Sequence, residues 1–189
     1  ASQAIAVTVT NVNEAPVITS GAAVSVAENQ TAVTIVTSTD VDGGAPSYSI
    51  SGGADAVLFT IDAATGVLTF NTAPNYEVPT DAGGNNVYDV TVEVNDGNGG
   101  IASQAIAVTV TNVNEAPIIT NGASVSVAEN QTAVTTVTST DVDGGAPTYS
   151  ITGGADASLF SIDAVTGVLS FNTAPNFEVP TDAGGKNVY

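Results

Sequence analysis

The sequence predicts an all-β protein built from tandem Greek-key β-sandwich repeats of about 101 residues. Three observations carry this. Residues 1–88 reappear as residues 102–189 with about 76 of 88 positions identical, and a self-similar period of this size fixes architecture before any local reading. Short β-branched runs alternate with clusters of Gly, Asn, Asp and Pro. No stretch has a helical period bounded by caps.

In chain order, the first repeat offers short β-branched runs at 23–26, 32–38, 47–50, 58–61 and 67–70. Two longer strands follow. In 89–95 (DVTVEVN), Val90, Val92 and Val94 share one face, while Asp89, Thr91, Glu93 and Asn95 share the other. In 105–111 (AIAVTVT), Ile106, Val108 and Val110 repeat the pattern. DGGAP at 42–46, SGGAD at 51–55, DAATG at 62–66 and DAGGNN at 81–86 punctuate the runs as turns. Seven or so short strands with regular turns indicate an antiparallel sandwich.

The repeat also sets the organisation. Residues 1–14 copy 102–115 and read as the C-terminal strand and linker of a preceding repeat. Residues 15–116 make a complete repeat, and 117–189 a second, truncated before its last two strands. The chain reads as an excerpt of a longer polypeptide.

Charge narrows the function. Nineteen acidic residues face a single basic one, Lys186, with no His, for a net charge of −18. Nucleic acid and anionic membranes need cationic side chains, so neither is a partner. With 43% hydrophobic residues the chain can bury a core and is not a disordered acidic tail. It has no apolar run near the roughly 18 residues of a membrane span, hence no direct membrane insertion in this segment. Cys is absent, so a thin exported domain would need another staple, and a metal is the obvious one.

The acidic residues divide into two sets. Asp89 and Glu93 lie on an outward strand face, Asp62 opens a turn, and Asp55 and Asp81 sit in Gly-containing loops; these read as solvated charge or turn residues. The others occupy short motifs: N-V-N-E-A-P at 11–16, A-E-N at 27–29, D-V-D at 40–42, N-Y-E at 75–77 and N-D-G at 95–97, with their copies. Loops of a sandwich collect at its two ends. D-V-D and N-D-G then fall at the pole beside the incoming linker, and A-E-N and N-Y-E at the pole beside the outgoing one. Carboxylates and amide carbonyls gathered without a basic residue form the ligand set of Ca²⁺, while Mg²⁺ prefers to keep its waters.

These motifs, with L-F-T-I-D-A-A-T-G-V-L at 58–68, resemble cadherin repeats in order and rough spacing, especially the cadherin-like repeats of large bacterial secreted or surface adhesins. The resemblance spans essentially the whole chain. It implies Ca²⁺ at the inter-repeat junctions. At the incoming junction it implies Asn13 and Glu14 facing Asp40, Asp42 and Asp96. At the outgoing one it implies Glu28 and Glu77 with linker residues Asn112, Asn114 and Glu115, and Asp141 and Asp143 on the next repeat. Glu129 and Glu178 would serve a third junction.

The sequence departs from the family at several points. Asn75 and Asn176 replace an aspartate, Asn11 and Asn112 open linkers where Asp is usual, and the linker has Glu for Asp and is one residue shorter. No Asn follows D-V-D, so a Gly43 or Gly44 carbonyl would substitute. One or two ions per junction are expected.

The function so implied is a Ca²⁺-rigidified extracellular adhesion or stalk repeat, of cell-surface or biofilm-matrix type, whose partners are neighbouring repeats and, beyond them, like chains or surface glycans. A polysaccharide-binding sandwich is the alternative, with Tyr76 and Tyr88 free to stack. A donor-strand filament subunit, using strand 4–10, is a lesser one. Catalysis is not expected: a glycosidase needs carboxylates converging at about 5–10 Å, whereas these repeat at unit ends. Asn29-Gln-Thr31 and Asn130-Gln-Thr132 match the short glycosylation pattern, which is common by chance.

Overall fold

The computed structural model describes residues 1–189. The chain divides into two compact units, Ala1–Val113 and Asn114–Tyr189. No helix is long and apolar enough to cross a membrane.

In the first unit the strands are β1 (Val17–Ile18), β2 (Ala23–Ala27), β3 (Ala32–Ile35), β4 (Ser38–Thr39), β5 (Ser47–Gly52), β6 (Phe59–Ile61), β7 (Val67–Phe70), β8 (Val87–Asn95) and β9 (Ile101–Thr111). One sheet has the order β2-β9-β8-β5 and the other β3-β7-β6, with β1 paired to β4. Alternation drives the packing. Tyr88, Val90, Val92 and Val94 of β8 are buried beside Ile106, Val108 and Val110 of β9, with Val90 registered on Ile106 and Tyr88 on Val108. From the second sheet come Leu68, Phe70 and Phe59. Phe59 stacks on Phe70 with ring centroids 4.5 Å apart, and Tyr88 meets Phe70 edge-on at 5.1 Å, tying one sheet to the other. The two sheets form a β-sandwich.

Four features differ from the sequence reading. The sandwich is not wholly antiparallel, because β2 runs parallel to β9, from Ala23 on Ala107 to Ala27 on Thr111. Strand β1 was not expected; two residues are too few to show a period. Leu58 belongs to a 3-10 turn, Ala56–Leu58, instead of a strand. Tyr88 is only 1% exposed, so its ring builds core and cannot stack on a sugar.

The second unit holds β10 (Ile118–Ile119) paired with β12 (Ser139–Thr140), and a sheet of β11 (Ala133–Thr136), β14 (Val168–Phe171) and β13 (Phe160–Ile162) in that order. The aromatic set recurs: Phe160 stacks on Phe171 at 4.6 Å and Tyr189 meets Phe171 edge-on at 5.1 Å. The counterparts of β2 and β5 carry no strand here. In the first unit those strands pair with β9 and β8, and the second unit has no strand after β14.

Candidate metal centre

The pole of the first unit nearest residues 11–16 is built from three chain segments. β4 ends at Thr39 and delivers Asp40 and Asp42; β8 ends at Asn95 and delivers Asp96; the segment 11–14 lies against both. Asp40 Oδ1 accepts the Asp42 N–H at 2.8 Å, closing an Asx turn between the two aspartates. Asp96 Oδ1 accepts the N–H groups of Asn98 at 2.7 Å and Gly100 at 2.9 Å, which folds the DGNGG loop around it.

The segment 11–14 supplies the remaining partners. The Asn11 amide donates to Asp42 Oδ1 at 2.7 Å, the Asn13 amide to Asp96 Oδ2 at 2.7 Å, and the Glu14 N–H to Asp42 Oδ2 at 2.7 Å. These bonds shape the electrostatics. The Glu14 N–H, then the Asn11 amide, hold the Asp42 carboxyl below its ordinary value. The Asn13 amide and the Asn98 N–H do the same for Asp96. Glu14 goes the other way: hydrogen bonding to Asp42, and the charge of Asp42, push its carboxyl up.

One oxygen stands apart. Asp40 Oδ2 is buried with no hydrogen-bond partner. Beside it is a cavity of about 90 Å³ lined by Pro16, Ser38, Asp40, Gly43, Gly44 and Asp96. A buried carboxylate oxygen without a donor is costly unless a cation meets it. The donors around it are carboxylates and backbone carbonyls with no nitrogen or sulfur ligand, which fits a hard, oxygen-loving ion. Gly43 and Gly44, the residues after D-V-D, line the same cavity.

At the opposite pole of this unit, Glu28 is 3% exposed. Its two carboxylate oxygens accept the N–H of Tyr76 and the N–H of Val113, each at 2.8 Å. A Glu77 oxygen lies within 4.8 Å of a Glu28 oxygen. Asn112 is exposed, between the end of β9 and Val113.

In the second unit, the Glu115 N–H donates to Asp143 Oδ2 at 2.6 Å, the Asp143 N–H to Asp141 Oδ1 at 3.0 Å, and the Asn114 amide to the Glu115 carbonyl at 2.7 Å. This is the Glu14–Asp42–Asp40 arrangement again. Glu129 accepts the Phe177 N–H at 3.0 Å, as Glu28 does that of Tyr76; Glu178 is exposed.

Sequence reasoning missed two participants and misplaced two others. Asn11 was noted for its departure from the family but not as a partner of Asp42. Gly100 carries no side chain because a Cβ there would overlap Asp96 Oδ2 and come within 2.8 Å of Ala15 Cα and the Glu14 carbonyl; the doubled glycine after N-D-G was the only hint. Asp55 and Asp81 are not solvated: they are 3% and 6% exposed. Asp55 accepts the N–H groups of Ala82 and Asp89, and Asp81 those of Asn85 and Asn86. They staple loops internally.

The cadherin domain family matches residues 22–113. Those residues are cadherin-like. Among solved structures, human protocadherin-24 EC1-2 (form II) is similar with a TM-score of 0.59 at 23% identity, covering 87% of this chain and 80% of that one. A human CDH23 EC21-23 structure is similar with a TM-score of 0.53 at 21% identity, covering 88% and 56%. At these identities the likeness is one of fold. A search of curated proteins finds no match. Cadherin domains are adhesion modules, typically extracellular and not enzymes, and typically bind Ca²⁺ at repeat junctions.

Proposed function

We propose that this chain is a Ca²⁺-rigidified extracellular adhesion or stalk segment of a large bacterial surface or secreted protein, of the kind found in biofilm matrices. The observation that carries it is the buried Asp40 Oδ2 without a partner, on a residue that lines a cavity together with Asp96. Asp40, Asp42, Asp96, Asn13 and Glu14 would hold an ion at one junction. Glu28, Glu77, Asn112, Asn114, Glu115, Asp141 and Asp143 would serve the next, and Glu129 and Glu178 a third, each taking one or two ions. In this reading 1–14 closes a preceding repeat, 15–116 is a complete repeat, and 117–189 begins another. When bound, Ca²⁺ supplies charge neutralisation; the residues fix the linker's path. The recurrence of the Glu14–Asp42 contact as Glu115–Asp143 supports a device repeated along an array.

Small-angle scattering and thermal melting in EDTA, then in millimolar Ca²⁺, test the reading. A stiffer, longer particle that melts higher with Ca²⁺ is expected; identical curves in both conditions would sink it.

A further inference from the structure

Asn11 and Asn13 occupy linker positions where aspartate would be the stronger cation ligand, yet only an amide can donate a hydrogen bond. We propose that these two amides form an ion-independent latch, which keeps segment 11–14 seated on the acidic pole without a cation and turns its oxygens inward when one binds. The second half rests on the Ca²⁺ reading above; the first does not.

The pole carries Glu14, Asp40, Asp42 and Asp96, and the chain's one basic residue, Lys186, belongs to the other unit. Left to repulsion, segment 11–14 would swing free. Instead each amide engages a different carboxylate: Asn11 takes Asp42 Oδ1 and Asn13 takes Asp96 Oδ2, both at 2.7 Å, a length typical of bonds to charged acceptors. Asn13 Nδ2 also reaches the Glu14 carbonyl at 3.1 Å, which sets the turn of the chain there. The Glu14 N–H then bonds Asp42 Oδ2. Gly100 lets Glu14 and Ala15 lie directly against the Asp96 loop, which a side chain would forbid. Apart from the orphan Asp40 Oδ2, the aspartate oxygens of this pole are therefore satisfied by donors of the protein itself.

Aspartate at position 11 or 13 would place a negative charge against another and supply no donor. Asparagine serves both states. A half-turn about the side chain's last torsion exchanges its NH₂ for its carbonyl oxygen, so the group that holds Asp96 through nitrogen can face an ion through oxygen. Segment 11–14 would then stay seated on its pole when Ca²⁺ leaves, while the ion still sets how stiffly it is held.

Amide hydrogen exchange on the 189-residue chain in EDTA tests this, read at the Glu14 N–H. Protection about tenfold or more above the unstructured rate is expected, and Asn11→Ala with Asn13→Ala should abolish it while the β8 amides remain protected. Asn11→Asp with Asn13→Asp should also lose it in EDTA and regain it in millimolar Ca²⁺. An unprotected Glu14 N–H in the wild type, or protection that survives the double alanine change, overturns the latch. Failure of Ca²⁺ to restore the aspartate variant overturns the ligand role of these positions. Calorimetry separates the two readings: no heat of Ca²⁺ binding would remove the ion and leave a permanent latch, measured by exchange alone.

Discussion

Asp55 and Asp89 are joined by a hydrogen bond of 2.8 Å from the Asp89 N–H to Asp55 Oδ2. The other Asp55 oxygen accepts the Ala82 N–H at 2.7 Å, so one buried carboxylate ties the 51–55 loop to the start of β8 and to the 81–86 loop. Asp55→Ala would leave both donors without an acceptor. The expected cost is about 1–3 kcal/mol, read as a lower urea midpoint with unchanged slope.

Gly66 has φ of +70°, and a Cβ there would overlap the Val36 carbonyl oxygen. That oxygen cannot retreat, because the Val36 N–H donates to the Gly66 carbonyl at 2.8 Å and the two backbones face one another. Gly66→Ala should destabilise the first unit by at least about 1 kcal/mol from the left-handed backbone alone. Thermal melting checks it.

Acid should unfold the protein from a defined side. Thr65 holds the Asp62 carboxyl below its ordinary value, and Thr166 does the same for Asp163. At Asp81 burial raises the value, but the N–H groups of Asn85 and Asn86 outweigh it and the net direction is down. Each such group binds fewer protons folded than unfolded. Its contribution is complete above the ordinary aspartate value of about 3.9 and is lost as pH falls through the depressed folded value. Glu14, pushed up, opposes this, but only at the linker. With no His, nothing on a side chain with an ordinary value titrates near neutrality. The melting temperature in EDTA should be level from pH 8 to about 5 and drop below about 4; Asp62→Asn should shallow the drop.

Asp40→Asn separates ion binding from folding. Asp40 Oδ2 makes no hydrogen bond to lose, and removing its charge relieves an uncompensated buried oxygen, so stability in EDTA should hold or rise. Ca²⁺ affinity should fall about tenfold or more with one ligand charge removed. Calorimetry alongside melting in EDTA reads both.

Much of the fold lay open in the sequence where a strand was long. The alternation of Val90, Val92 and Val94 and of Ile106, Val108 and Val110 placed every one of them in the core. Pairing direction was not legible, because no local pattern tells β2 that its neighbour β9 runs alongside it. Tyr88 and Asp55 misled for one shared reason. Each is an amphipathic or charged residue buried by partners distant in sequence: Phe70 for the ring, Ala82 and Asp89 for the carboxylate. The poles were readable as motifs, since Asp40, Asp42 and Asp96 come at loop starts, but the need for a bare Gly100 arises only when a second segment approaches it.

The parallel run of β2 beside β9 has a mechanical meaning. The chain enters this zipper at Ala23 and leaves it at Thr111, at opposite ends of the paired stretch. Tension applied through the two termini of the unit therefore slides one strand along the other, and every rung resists together. An antiparallel pair gripped at a shared end would instead open rung by rung. A tether made of such units would yield abruptly, at a threshold, instead of gradually.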